Sequence, residues 1–194
     1  MVILAVTGTI GSGKSVVARI MEIMGVPVYD CDSRAKRLMV DNTFVVNELK
    51  RMFGSECYDV DGSLNRKYLA SRIFVDDANV KRVNALVHPV VKEDFTRWVS
   101  AQTVPVVAVE TALLYESGMI EVVDKVLAVW TDKETAITRT MNRSGMSRSQ
   151  VLSRMQKQMS ADELLLLSDF SIYNSGEKPV LPAVVSLLAE LGWE

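Results

Sequence analysis

The fold is decided by the stretch Gly8-Thr9-Ile10-Gly11-Ser12-Gly13-Lys14-Ser15. It matches the pattern GxxxxGK(S/T) without a mismatch, and it lies between a short apolar run and a stretch with helical periodicity. In this pattern the glycines let backbone N–H groups approach phosphate oxygens, and the helix that follows adds its positive dipole end. Lys14 would reach the β and γ phosphates, and the Ser15 hydroxyl would bind Mg²⁺. The loop, continued by Val16, therefore predicts a nucleoside triphosphate site.

A glycine-rich turn that carries a solvated lysine is the alternative interpretation of this loop. The apolar run before it and the helical pattern after it favour the phosphate loop, because both the placement and the spacing fit. The spacing differs from GxGxxG, so a dinucleotide site is disfavoured.

The rest of the chain alternates short valine-rich runs with helical patterns, which is typical of a mostly parallel sheet covered by helices on both faces. We expect an α/β fold of the P-loop NTPase type, with a five-stranded parallel sheet flanked by helices. The five strand candidates are Val2–Val6, Val26–Tyr29, Val104–Val109, Lys125–Trp130 and Phe170–Tyr173.

One interval, residues 32–102, contains only helical patterns and predicts a helical insertion. Inside it, Asn65 is a candidate helix cap, and a further helix is expected to begin at Pro89 with His88 at its entry. The nucleotide-binding core then comprises residues 1–31, 103–134 and 159–194, and residues 135–158 form a separate helical hairpin.

Composition narrows the range of partners. The 194 residues include 22 basic and 24 acidic side chains, a net charge of -2, so no overall charge excess indicates a nucleic acid or membrane partner. No apolar run approaches the ~18 residues that a membrane span needs, and Met1–Thr7 predicts a strand rather than a signal peptide. Cys31 and Cys57 are the only cysteines, which suits reduced thiols in a cytoplasmic protein.

Acidic residues follow two of the predicted strands, at the edge where parallel sheets bind ligands. Asp30 and Asp32 follow the second strand, and Asp32 is the candidate base that takes the proton of an attacking hydroxyl. A helix cap is the alternative role for Asp32. Glu110 ends the third strand, where it would orient water around Mg²⁺ or would simply be solvated.

A basic stretch lies between Glu134 and Asp162, where five basic residues and no acidic residue occur. Arg139 and Arg143 are four residues apart on a predicted helix, and Ser144-Gly145 ends that helix. The stretch predicts a helical lid that brings guanidinium groups to a transferring phosphoryl group. A solvated basic face or a weak nucleic-acid patch is the alternative. The five residues are Arg139, Arg143, Arg148, Arg154 and Lys157.

Taken together, the spaced motifs resemble those of the dephospho-CoA kinases, the last enzymes of coenzyme A synthesis, over nearly the whole chain. The family pattern TGGIGSGK(S/T) is similar to residues 7–15, and DADxxAR is similar to residues 30–36. GxLNR, HP, DxPLLFE, RIxxQ and ADxVIxNxG are similar to residues 62–66, 88–89, 110–116, 154–158 and 168–176. The chain departs from these patterns at Thr9, Lys36, Glu110 and Ala112.

The resemblance implies an ATP-dependent kinase that phosphorylates dephospho-CoA in the cytoplasm, as a monomer or weak homo-oligomer, without a nucleic acid or membrane partner. It implies that Asp32 is the base, that residues 32–102 receive dephospho-CoA and that residues 135–158 are the lid. ATP contacts are implied for Arg139 and Asn174. Acceptor contacts are implied for Asp32, Asn65, Arg66, His88 and Leu113.

Two other functions share parts of this pattern. A shikimate or nucleoside monophosphate kinase would carry the same loop and an acid after the second strand. A nucleotide switch or ATP-driven nucleic-acid module would use the basic stretch, but Asp59–Gly62, which spells DxxG, lies in the insertion without an NKxD motif.

Overall fold

The computed structural model describes residues 1–73 and 75–193. Its strands, in chain order, are β1 Val2–Thr7, β2 Val28–Asp30, β3 Val106–Glu110, β4 Lys125–Trp130 and β5 Phe170–Tyr173. Its helices are α1 Lys14–Ile23, α2 Cys31–Asp41, α3 Thr43–Phe53, α4 Arg66–Ile73, α5 Asp77–Ser100, α6 Lys133–Ser144, α7 Arg148–Met155, α8 Ala161–Leu166 and α9 Leu181–Glu190.

The five strands form one parallel sheet in the order β2-β3-β1-β4-β5, which confirms the predicted α/β class. β1 is the central strand and pairs with β3 on one side and β4 on the other. The loop after β1 therefore emerges in the middle of the carboxyl edge, where parallel sheets bind their ligands.

Both faces of the sheet are buried at its three central strands, β1, β3 and β4, which explains why these strands are nearly continuous apolar runs. On one face, Leu4 and Val6 of β1 pack with Val17 of α1 and Val184 of α9 in a single hydrophobic cluster. The residue between the two on β1, Ala5, points to the opposite face and is also completely buried. This double burial fixes β1 and α1 relative to each other and so positions the loop between them.

The chain divides into two compact units, Met1–Asp30 with Ala101–Glu194 and Cys31–Ser100. The first unit contains the sheet with α1 and α6 to α9, and the second contains α2 to α5. Assignment of residues 32–102 to acceptor binding and of residues 135–158 to a lid remains a prediction. Within the described residues, the structure contains no helix both long enough and apolar enough to cross a bilayer.

Local helix signals in the second unit have mixed outcomes. Asn65 does cap a helix, because its Oδ1 accepts a hydrogen bond from the Tyr68 amide at 3.0 Å and α4 begins at Arg66. The helix start predicted at Pro89 is wrong, because Pro89 lies inside the 24-residue helix α5. His88 is consequently a mid-helix residue rather than a helix entry.

Burial explains why α5 continues through a proline. Its buried residues recur every four positions on both sides of Pro89, so one apolar stripe packs inside the second unit. Proline removes one hydrogen bond to the preceding turn, but Pro89 itself is on the exposed side. The packing of the stripe therefore outweighs the local helix-breaking tendency. The stripe consists of Val83, Val87, Val91, Phe95 and Val99.

Pro89→Ala is expected to stabilise the protein, since alanine restores an N–H donor inside α5 at an exposed position. Because proline costs about 3 kcal/mol in a helix interior, we expect a gain of roughly 1–2 kcal/mol in the free energy of unfolding. Urea denaturation measures this change in the free energy of unfolding. Ala85→Pro, one turn earlier and also exposed, is the matched opposite change and should destabilise; a loss of stability in Pro89→Ala would show that α5 needs the proline.

Candidate active site

The glycine-rich loop adopts a tight turn between β1 and α1. Gly11 and Gly13 have φ angles of 81° and 94°, in the left-handed region that favours glycine. The Ser12 amide donates a hydrogen bond to the Thr9 carbonyl at 3.1 Å, and α1 begins directly after Gly13, at Lys14. The first amides of a helix have no carbonyl partner within that helix, so this end of α1 presents N–H donors and a positive dipole end.

Neighbouring elements pack so closely against the loop that side chains are excluded at these glycines. A Cβ at Gly11 would lie 2.2 Å from the Ala136 carbonyl oxygen of α6. A Cβ at Gly13 would lie 2.0 Å from Nδ2 of Asn174, the residue after β5. The loop shape therefore depends on residues distant in the chain as well as on its own sequence.

Ser15 and Glu110 meet at the edge of the sheet. The Ser15 hydroxyl donates a hydrogen bond to Oε1 of Glu110 at 2.5 Å, which joins the first turn of α1 to the end of β3. Glu110 is also paired in register with Asp30 at the end of β2. Oxygen ligands from a hydroxyl and carboxylates are those that Mg²⁺ prefers.

Two amide side chains anchor the loop from outside. Oε1 of Gln158 accepts a hydrogen bond from the Ile10 amide at 3.0 Å, and Nδ2 of Asn174 donates one to the Ser12 carbonyl at 3.0 Å. The sequence placed Gln158 and Asn174 in family-like motifs but gave no indication of these bonds, which span 148 and 162 residues.

The basic stretch forms α6 and α7, with the predicted break between them. α6 ends at Ser144 with Gly145 as its left-handed cap, and Ser147 begins α7 with a capping box to Gln150. Arg139 is partly buried, and its Nη1 donates a hydrogen bond to the Asn174 carbonyl at 2.8 Å. The same nitrogen lies 4.0 Å from the position of a Cβ at Gly13, so its guanidinium adjoins the phosphate loop.

Not every arginine of this stretch faces the loop. Arg143, one turn after Arg139, is exposed in the last turn of α6. Arg148 forms a two-pronged ion pair with Glu134, at 2.7 and 2.8 Å, which links α7 to α6 and lowers the pKa of the Glu134 carboxyl through hydrogen bonding. The local charge of the stretch is thus partly balanced by a residue that precedes it.

The residues predicted to contact an acceptor divide between the two units. Asp32 is exposed in the first turn of α2, and His88 is half-buried within α5. The Asn65 side chain is engaged in capping α4 and also donates to Oδ1 of Asp59 at 3.2 Å, next to the exposed Arg66. Leu113 belongs to the first unit, where its amide donates to the Thr111 hydroxyl. Acceptor binding by these residues remains a prediction.

A cavity of about 510 Å³ in the first unit was not anticipated from the sequence. It lies beside Thr9 of the loop and is walled by α6, α7 and α8. Its apolar walls include Trp130 and two methionines, Met155 and Met159. The ring centroid of Trp130 lies 4.4 Å from that of Tyr173.

A phosphate loop that leaves the central strand of a five-stranded parallel sheet, with a hydroxyl–carboxylate pair at the sheet edge, defines a nucleotide-binding protein of the P-loop class. The family profile described as dephospho-CoA kinase matches residues 2–179. The chain therefore belongs to the dephospho-CoA kinase family.

Individual relatives agree with this assignment. The chain is 36% identical over 189 residues to a dephospho-CoA kinase of Bacteroides fragilis, covering 97% of this chain and 92% of the relative. It is 35% identical over 184 residues to a dephospho-CoA kinase of Corynebacterium diphtheriae, covering 93% and 92%.

Solved structures show the same fold. A crystal structure of TT1252 from Thermus thermophilus superposes with a TM-score of 0.84 at 36% identity, covering 98% of this chain and 97% of that one. A shikimate kinase from Bacteroides thetaiotaomicron gives a TM-score of 0.54 at 14% identity, covering 98% and 97%, a likeness of fold alone.

Proposed function

We propose that this kinase transfers the γ-phosphoryl group of ATP to the ribose 3′-hydroxyl of dephospho-CoA, giving CoA and ADP. The hydroxyl oxygen attacks the γ phosphorus, the bond from that phosphorus to the β–γ bridging oxygen breaks, and the hydroxyl proton passes to a base. The observation that carries the proposal is the phosphate loop in a chain of this family: Gly11 and Gly13 have φ angles in the left-handed region, and neighbouring elements pack tightly against both.

The loop holds the triphosphate in this proposal. The amides at the start of α1 donate to phosphate oxygens, and Lys14 neutralises charge between the β and γ phosphates. Loop residues 8–13 act through their backbone, so the packing at Gly11 and Gly13 sets their geometry before the nucleotide binds. Such preorganised donors stabilise developing charge without a reorganisation cost during transfer.

Mg²⁺ fits the oxygen pair formed by Ser15 and Glu110, which would hold it with help from the triphosphate. When bound, the ion neutralises phosphate charge and orients the γ-phosphoryl group. Among the described residues no cluster of three or more His, Cys, Asp or Glu side chains is placed to hold a metal. A site with one hydroxyl and one carboxylate suits Mg²⁺, which binds through one or two protein groups, substrate phosphates and water.

Proton removal is assigned to Asp32 and charge neutralisation to the arginines. Asp32 follows β2 by two residues, and the acid after this strand is at the ligand-binding edge of parallel sheets. Its carboxylate orients the 3′-hydroxyl and accepts its proton. Arg139, held beside the loop by the Asn174 carbonyl, neutralises charge on the transferring group, and the exposed Arg143 joins it when the lid closes.

The acceptor is assigned to the helical unit Cys31–Ser100, where Arg66 and His88 contribute contacts to dephospho-CoA. Leu113 adds an apolar contact from the first unit. We further propose that the enzyme acts in the cytoplasm as a monomer or weak homo-oligomer, where its two buried cysteines stay reduced.

An ADP-release assay over a panel of hydroxyl acceptors tests the function. Dephospho-CoA should stimulate release strongly, whereas shikimate and nucleoside monophosphates should not. Stimulation by shikimate or a nucleoside monophosphate, with none by dephospho-CoA, would assign the chain to another acceptor. Chelation of Mg²⁺ should abolish the stimulated rate.

Glu110→Gln is expected to raise the Mg²⁺ concentration for half-maximal activity by about 10- to 100-fold, because the amide keeps the hydrogen bond to Ser15 but loses the charge. Titration of the rate with Mg²⁺ at saturating ATP measures this. Glu116→Gln is the matched control, since Glu116 lies in the same motif but accepts a hydrogen bond from the Met159 amide. Equal Mg²⁺ requirements in wild type and Glu110→Gln would remove Glu110 from the metal site.

A further inference from the structure

We propose that Asn174 is a positioning residue that holds the phosphate loop in its binding conformation through Ser12, rather than a group that contacts the nucleotide. Asn174 follows β5 directly and is only 9% exposed. Its Nδ2 donates a hydrogen bond to the Ser12 carbonyl at 3.0 Å. The proposal rests on the proposed nucleotide site but not on the identity of the acceptor.

The peptide group between Ser12 and Gly13 explains how such a bond acts. A trans peptide is planar, and its carbonyl and N–H point in opposite directions. When Asn174 holds the Ser12 carbonyl, it also fixes the Gly13 N–H so that it points away from Asn174. That N–H belongs to the phosphate-binding loop, so the asparagine sets the direction of a donor that it does not touch.

Tight packing makes the arrangement specific. A Cβ at Gly13 would lie 2.0 Å from Nδ2 of Asn174, so the amide group occupies the space that a side chain would take. Ser12 is completely buried, and its carbonyl would lose its partner if the amide were removed. An unsatisfied buried acceptor favours rotation of the peptide toward another partner, which would turn the Gly13 N–H away from phosphate.

The main chain of Asn174 has a separate role. Its carbonyl accepts a hydrogen bond from Nη1 of Arg139 at 2.8 Å, so one residue aligns both the loop and the guanidinium beside it. Replacing the Asn174 side chain removes the bond to Ser12 but keeps this carbonyl. The loop effect can therefore be measured while the contact that orients Arg139 remains.

Binding measurements with partial ligands test the proposal. Tripolyphosphate reports on the loop alone and adenosine on the base site alone, each competing with a fluorescent ATP analogue. In Asn174→Ala the affinity for tripolyphosphate should fall on the order of tenfold while the affinity for adenosine stays unchanged. Ser175→Ala, which removes the next side chain and its bond from the Glu177 amide, should leave both affinities unchanged.

Three results would overturn the proposal. A parallel fall in the affinity for both ligands, or a fall for adenosine alone, would mean that Asn174 contacts the nucleoside. An unchanged affinity for tripolyphosphate would mean that the bond to Ser12 does not set the loop. If the alanine variant does not fold, Asn174→Asp serves instead, because aspartate keeps the shape of the side chain. Its carboxylate cannot donate a hydrogen bond to the Ser12 carbonyl, so the affinity for tripolyphosphate should fall at least as much. Wild-type failure to phosphorylate dephospho-CoA would refute the proposed function but leave this test intact.

Discussion

Asp32→Asn is expected to lower kcat by about 10²- to 10⁴-fold with little change in ATP affinity. The amide keeps the size of the side chain but cannot accept the proton of the 3′-hydroxyl. ATP affinity should persist because the proposed triphosphate contacts come from the phosphate loop, outside the helical unit that contains Asp32. Single-turnover transfer rates and equilibrium ATP binding separate the two quantities.

Asp41→Asn provides the matched control for this variant. Asp41 is the last residue of the same helix, α2, and pairs with Arg37 on the surface at 3.0 Å. An exposed pair of this kind contributes little to stability, so the control should turn over normally. Near-normal turnover in Asp32→Asn would remove Asp32 from the mechanism, and an equal loss in both variants would indicate a general effect on α2.

Gly11→Ala is expected to lower kcat/KM by about 10²-fold or more, because a displacement of about 1 Å in a catalytic site has effects of this size. The added methyl group would lie 2.2 Å from the Ala136 carbonyl oxygen and 2.6 Å from the Thr140 hydroxyl, so the loop must move away from α6. Alanine is also strained at a φ of 81°. Steady-state kinetics and ATP binding measure the loss.

Gly192→Ala separates the clash from the backbone strain. Gly192 has the same φ of 81°, but a Cβ there meets no atom within 4 Å. It should lose a little stability and keep its activity. If both variants lost activity to the same extent, strain rather than packing of the loop would be responsible, and if neither did, the loop would tolerate a change of shape.

Much of the sheet is predictable from the sequence because its signal is local. The three central strands, β1, β3 and β4, are buried on both faces, so each appears as a short apolar run, and the loop pattern marks the junction of β1 with α1. The caps at Asn65 and Ser147 are local as well, since each side chain bonds an amide three residues later. These features depend on neighbours in the chain and therefore leave a readable pattern.

The continuation of α5 through Pro89 could not be predicted from local rules. Proline is common in the first turn of a helix, which made Pro89 a reasonable start. Burial of the apolar stripe through the whole 24-residue helix overrides that preference, a tertiary effect without a local signature. Helix propensity is a weak prior in such cases.

The long-range hydrogen bonds that hold the phosphate loop could not be predicted for a different reason. Gln158 and Asn174 reach the loop from residues far along the chain, and no spacing rule relates them to Ile10 or Ser12. The pairing of Arg148 with Glu134 likewise depends on how α6 and α7 fold together. Sequence patterns identified candidate residues for chemistry, while the contacts that hold them required the structure.

Transfer of label from γ-³²P-labelled ATP tests whether the 3′-hydroxyl of dephospho-CoA receives the γ-phosphoryl group, with dephospho-CoA and its 3′-deoxy analogue as parallel acceptors. We expect label to enter the product only when the acceptor carries the 3′-hydroxyl, with Mg²⁺ required and ADP formed in equal amount. Label in the 3′-deoxy analogue would place the transfer elsewhere on the acceptor, and no labelled product from either compound would contradict the proposed reaction.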